Sequence, residues 1–148
     1  MQSLRPTPIH DRFGVEIRNV DLRDVAAGHL YPEIRDAFET HSLLLFRDQD
    51  VSPEKHIELA KLFGPLEDRK ADEHGLGEAG FEVSEVSNVK MDGTVTGEGD
   101  RHTLHLQSNF LWHTDSTFLP IPALSNILIC RVAAKDGGAT ELTSTRAA

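Results

Sequence analysis

The stretch Asn109-Phe110-Leu111-Trp112-His113-Thr114-Asp115-Ser116-Thr117-Phe118 decides how this chain is read. It sets a His and an Asp two residues apart in a run of apolar and β-favouring side chains. On a strand, residues i and i+2 point to the same face. His113 and Asp115 would then aim a ring nitrogen and a carboxylate at one point. Two His and one carboxylate on a shared face form the triad that holds non-haem ferrous iron, and this pair supplies two of the three. Spacing alone is weak: with 8 His and 24 acidic residues in 148 positions, about one such pair arises by chance.

The chain carries its own control, His56-Ile57-Glu58. That pair lies in 52–65, where Ser52 suits an N-cap, Pro53 the first turn, and Gly64-Pro65 the end of a helix. Two helical steps turn a side chain by about 200°, so His56 and Glu58 are expected to diverge on a solvated face.

Outward from these motifs, the first half alternates strand and helix. Gly14 to Leu22 reads as a strand and turn, with Val15, Ile17 and Val20 inward. Residues 29–40 read as an amphipathic helix with Leu30, Ile34, Ala37 and Phe38 at helical spacing. Residues 42–47 read as a short buried strand, and the capped helix follows. From Glu67 to Gly80 the chain is polar and glycine-bearing, a loop. The second half reads as strands and tight turns: 81–91, then Asp92-Gly93, a mobile stretch at 94–101, extended chain over 104–118, a core strand over 124–132, the Asp136-Gly137-Gly138 turn, and 140–143. The pattern suits an antiparallel sandwich or jelly roll. Trp112 is expected in the core. Residues 145–148 look like the first turn of a helix.

Composition excludes several classes. The chain is 39% hydrophobic and 26% charged, as ordinary globular proteins are. A formal net charge of −9 argues against nucleic acid as a partner. No apolar run reaches about 18 residues, so no membrane span is expected, and 1–11 lacks the apolar region of a signal peptide. The single Cys130 allows no internal disulfide and suits a cytoplasmic protein; its apolar neighbours predict a buried, inert thiol. No nucleophile elbow, P-loop or dinucleotide fingerprint is present. His74, His102 and His105 are the nearest candidates for a third ligand. His102 and His105 face apart on an extended chain and pair only if that piece is helical. A zinc site from His102, His105 and His113 is an alternative metal reading.

Several motifs in order carry a more specific signal. Val20-Asp21-Leu22-Arg23, Leu45-Phe46-Arg47-Asp48-Gln49, Leu62-Phe63-Gly64-Pro65-Leu66-Glu67, Val86-Ser87-Asn88-Val89 with Asp92-Gly93, Leu111 to Phe118, Pro122-Ala123, Gly137 to Glu141 and Arg146-Ala147-Ala148 together resemble the TauD/TfdA family of Fe(II)/alpha-ketoglutarate-dependent dioxygenases. The likeness is strongest to the dichlorophenoxyacetate branch. It implies an α+β fold: a double-stranded β-helix (jelly roll) core with N-terminal helices. It implies Fe(2+) as metal, with His113 and Asp115 as ligands and catalytic residues. Alpha-ketoglutarate and O2 are the implied co-substrates, Thr140 bonding the distal ketoacid carboxylate and Asn109 lining the site. The implied reaction hydroxylates a small organic acid, an aryloxyalkanoate-like carboxylate or a sulfonate, with release of succinate and CO2. Arg69, Lys70, Lys90 and Arg101 are candidate cations for that acid, and a homo-oligomer stays open.

The family's second His ligand and its ketoacid-binding Arg have no matching position among these residues. Residues 1–148 are therefore expected to be the N-terminal portion of a single dioxygenase domain, incomplete at the C-terminus and inactive alone. The alternative is a truncated, non-catalytic binding or interaction module.

Overall fold

The backbone is ordered around Val15-Glu16-Ile17, strand β2, all three residues of which are buried. The computed structural model describes residues 4–67, 83, 85–90, 92–117 and 119–148. It divides into two compact units, Met1–Gly64 with Ser125–Ala148, and Pro65–Leu124.

In the first unit β2 is the centre of a three-stranded sheet ordered β1-β2-β3. Strand β1 (Pro6–Pro8) pairs with it antiparallel, Pro6 opposite Ile17 and Pro8 opposite Val15. Two prolines suit an edge strand, where one row of N–H groups needs no partner. Strand β3 (Leu44–Leu45) pairs parallel on the other side, Val15 opposite Leu44. Gly14 precedes β2 at φ +82°, and a side chain there would meet Ile9 and Leu43 at 3.1–3.3 Å. Glycine alone meets both demands easily.

The core beneath the sheet is Val15, Ile17, Val20, Val25, Ile34, Val51 and Leu59, with Tyr31, Ala37, Phe46, Phe63, Ile127 and Ile129 packed around it. Helix α1 (Tyr31–His41) delivers Ile34 and helix α2 (Pro53–Phe63) delivers Leu59. Ser52 caps α2, its hydroxyl accepting from the Lys55 N–H at 3.2 Å, and Gly64 ends it as the sequence predicts. Leu30 offers α1 no side-chain cap. The Glu33 carboxylate in its first turn instead accepts from the Leu4 N–H at 3.0 Å and ties down the N-terminal segment. Tyr31 and Phe38 both meet Phe63 edge to face, joining the two helices.

Glu16 is the charged exception within the sheet, 6% exposed. Arg18 and Arg47 approach its carboxylate at 2.8 and 3.3 Å from the solvent side. The Arg18 hydrogen bond, with Arg47 adding to it, holds the Glu16 carboxyl below its ordinary value. Gln49 serves as a second clamp, accepting from Leu22 N–H and donating to the carbonyls of Val20 and Arg47.

Residues 125–131 depart from expectation. No strand ladder forms over 124–132; among the described residues all three strands lie before residue 46. Exposure still alternates, with Ser125, Ile127 and Ile129 half-buried and Leu128 and Cys130 exposed. Side chains hold the segment in place of a ladder. His56 Nε2 bonds the Ile127 carbonyl at 2.9 Å, and Arg131 donates to the Val51 carbonyl at 2.5 Å. Two expectations are corrected here. Cys130 is not buried, because it falls on the outer side of that alternation. His56 is not simply solvated, because its ring reaches across to Ile127, while Glu58 diverges as expected and pairs with Lys55.

In the second unit, Lys90 and Thr94 close a tight turn over Asp92-Gly93, with an antiparallel bridge between Val89 and Val95. Residues 101–108 form helix α3 (Arg101–Ser108), not extended chain. Leu104 and Leu106, two apart, mimic strand alternation. The helix begins instead where the Leu104 N–H bonds the Asp100 carbonyl at 3.0 Å. Among the described residues no helix is long and apolar enough to cross a membrane.

Two measurements check this account. Ile17→Ala should cost roughly 2–5 kcal/mol in urea or thermal unfolding, as deletion of a fully buried aliphatic group does. Asp21 bonds Arg23 through both its guanidinium and its N–H, which lowers its carboxyl to about 2. Its contribution to stability is therefore complete above the ordinary aspartate value and is lost as pH falls through about 2. An NMR titration should place the Asp21 midpoint near that pH.

Candidate functional site

His113 and Asp115 come together, and not by the route the spacing suggests. No strand runs through 112–117. Residues 112–114 have no regular structure and 115–117 form a turn. Ser116, next after Asp115, sits at φ +60°. Leu119 N–H closes the turn on the Ser116 carbonyl at 3.0 Å, and Thr117 Oγ1 donates to the Thr114 carbonyl at 3.3 Å. Where the irregular segment enters this turn, His113 Nε2 and Asp115 Oδ1 lie 3.0 Å apart. Both side chains remain about half exposed.

The other ring nitrogen is held as well. His113 Nδ1 lies 2.6 Å from the Leu111 carbonyl. A carbonyl only accepts, so Nδ1 carries a proton and Nε2 is the nitrogen presented to Asp115. The Leu111 carbonyl raises the His113 pKa above the ordinary imidazole value. Desolvation opposes that rise, and the Asp115 charge and hydrogen bond add to it.

The remaining predicted residues are placed as follows. Asn109 follows α3 in the same unit, exposed, its N–H bonded to the Leu106 carbonyl at 3.1 Å. Thr140 belongs to the first unit, where it is exposed two residues after Gly137-Gly138, both at positive φ. Trp112 is 66% exposed beside exposed Phe110 and Leu111, so the expected core role is corrected. Without a strand among the described residues of 109–117 there is no buried face for it to join. Lys90 is engaged by Asp100 at 2.7 Å, and Arg101 is exposed at the start of α3. His74, Arg69 and Lys70 lie outside the described residues. His102 and His105 lie three apart on α3. Among the described residues no group of three His, Cys, Asp or Glu is disposed to hold a metal ion. In the first unit, the cleft of about 560 Å³ lined by Ile9, Phe13, Leu43 and Leu142 contains none of the predicted site residues.

Sequence reasoning missed two contacts at the pair, the Leu111 carbonyl on His113 Nδ1 and the Ser116 hydroxyl donating to Glu67, 49 positions earlier. The only sequence signal was that Asp115-Ser116 are turn formers.

Comparison with known proteins gives this geometry a context. Residues 3–148 match the family described as taurine catabolism dioxygenase TauD, TfdA family, and the chain belongs to that family. It is 32% identical over 148 residues to an alpha-ketoglutarate-dependent 2,4-dichlorophenoxyacetate dioxygenase of Cupriavidus pinatubonensis, covering 99% of this chain and 52% of that protein. It is 33% identical over 144 residues to an (S)-phenoxypropionate/alpha-ketoglutarate-dioxygenase of Sphingobium herbicidovorans, covering 95% of this chain and 45% of that one. The chain thus spans about half the length of the curated relatives it matches. Among solved structures it resembles AAD-2, crystallised with Mn(II) and N-oxalylglycine, with a TM-score of 0.67 and 29% identity over 82% of this chain and 39% of that one. The mixed α+β architecture is shared with that protein.

One titration tests the pair directly. The metal-free His113 should titrate above the ordinary imidazole range by NMR. In Asp115→Asn the midpoint should fall only part of the way back, because the Leu111 carbonyl is the larger cause. The pair's attraction is complete below the ordinary imidazole value and is lost as pH rises through the raised one.

Proposed function

We propose that this chain supplies the His113 and Asp115 ligands, and half of the ketoacid site, of an Fe(II)- and alpha-ketoglutarate-dependent dioxygenase that hydroxylates a small organic acid. The observation that carries the proposal is the 3.0 Å approach of Nε2 to Oδ1. Ligands at about 2.1 Å on adjacent corners of an octahedral ion lie about 3.0 Å apart, so the pair already has the separation a shared metal requires. A neutral imidazole nitrogen and a carboxylate are also a donor set suited to ferrous iron.

When bound, the metal would supply redox chemistry in which alpha-ketoglutarate and O2 give succinate, CO2 and a hydroxylated product. The chain's own residues do the positioning. The Leu111 carbonyl keeps the proton on Nδ1 and fixes the ring plane, the usual role of a partner to a ligating histidine. Asp115 offsets metal charge. Thr140 would hydrogen-bond the distal carboxylate of the ketoacid, and Asn109 would line the site. A core of jelly-roll type, as the family resemblance implies, would carry these groups, and a cytoplasmic location agrees with the single thiol.

The substrate reading rests on relatives that act on aryloxyalkanoates. An aryloxyalkanoate-like carboxylate is the first choice and a sulfonate the second. With Lys90 committed to Asp100, Arg101 is the better cation of the two described. The family's second His and its Arg have no counterpart within residues 1–148. The second reading is a non-catalytic module that keeps the family fold.

Mn(II) titration followed by NMR line broadening separates these readings. Broadening should centre on His113 and Asp115, strengthen as pH rises through the His113 midpoint, and vanish in His113→Ala. In a protein that adds the family's second His and Arg, anaerobic Fe(II) with alpha-ketoglutarate should give a weak visible charge-transfer band. Succinate formation there should fall in His113→Ala by more than the roughly 10–100-fold that loss of an outer partner costs. Absence of both broadening and band would leave the non-catalytic reading.

A further inference from the structure

The contact between Ser116 and Glu67 has no part in the ligand set, yet it reaches the residue next to Asp115. Ser116 is 8% exposed and, with Glu16, is one of two buried polar residues among those described. It also stands at φ +60°, a conformation in which glycine or asparagine would be more comfortable. The turn does not need the hydroxyl. Its bonds run from Leu119 N–H to the Ser116 carbonyl and from Thr117 Oγ1 to the Thr114 carbonyl. A buried serine at an unfavourable φ therefore owes its place to what its side chain binds, and that is the Glu67 carboxylate. Glu67 closes the short run Pro65-Leu66-Glu67, in the same unit as the turn.

We propose that Glu67 is a positioning residue for the His113–Asp115 pair: its carboxylate holds Ser116 Oγ, and so fixes the turn that aims Asp115 at His113 Nε2. The role toward metal rests on the reading of that pair as ligands; the clasp itself does not. The clasp anchors the backbone that follows Asp115, so a loosened turn frees Asp115 to move away from the imidazole. A partner of this kind acts on a metal site through ligand orientation.

The test uses the 148-residue chain, two readouts and four variants. Exchange of the Leu119 amide reports the turn without metal, and Mn(II) affinity from NMR broadening reports the pair. In Ser116→Ala and Glu67→Ala, amide exchange should quicken by about tenfold, the effect of one lost hydrogen bond. Mn(II) affinity should fall by roughly 10–100-fold in both. The double variant should be no worse than either single one, because both remove the same contact. Glu67→Gln keeps an acceptor oxygen and should stay within about threefold of the parent, on the same hydrogen-bond scale. Unchanged exchange in Ser116→Ala and Glu67→Ala would overturn the clasp. Faster exchange with unchanged Mn(II) affinity would reduce it to a structural contact and overturn the positioning role. If the parent chain binds no Mn(II) while exchange quickens in the variants, the ligand reading fails and the clasp stands.

Discussion

Burial of the three-residue strand Val15-Glu16-Ile17 is the constraint from which the first unit follows. A strand so short holds its place only if both edges are paired and its side chains are covered. Pro6–Pro8 and Leu44–Leu45 provide the pairing, while α1 and α2 lend Ile34 and Leu59 to the cover. Placing Glu16 in that strand forces a charge into the sheet, and the strand survives because Arg18 and Arg47 meet the carboxylate at the surface. An isolated buried charge would be costly, and truncating either arginine would shift the whole burden to the other.

The second unit is built on another principle. Among its described residues, hydrogen bonds between neighbours in sequence close two turns. Lys90 and Thr94 close one turn, and Ser116 and Leu119 close another. In the same unit the His113 and Asp115 side chains approach to 3.0 Å without being buried. Both side chains stay about half exposed to solvent.

How much was legible in advance depended on how local the cause was. Helix α2 could be read from Ser52, Pro53 and Gly64 because capping acts over three or four residues. The inward faces of Val15 and Ile17 followed from their apolar character, although nothing local announced that Glu16 would be buried with them. The pair at His113 and Asp115 was legible as a pair, but the two groups meet on an irregular segment leading into a turn, without the strand pleat that the spacing suggests. Helix α3 was misread because Leu104 and Leu106 alternate as strand residues do. Residues 124–132 have the composition of a core strand, yet a strand exists only where a second backbone lies alongside, and composition cannot supply one. The Ser116 to Glu67 contact spans 49 positions and leaves no trace in spacing. The ordered motifs, from Val20 to Ala148, carried the family because many weak matches in sequence order are jointly specific.

The outward turn of Cys130 has a practical side. The chain's single thiol stands in solvent, on a segment that His56 and Arg131 fasten to the α2 region. It is thus a unique handle: a maleimide dye placed there would sense whether that segment is seated or released. It is also a route to artefact. Two copies stored in air can join through these thiols, and a covalent dimer seen under such conditions would record handling, not assembly.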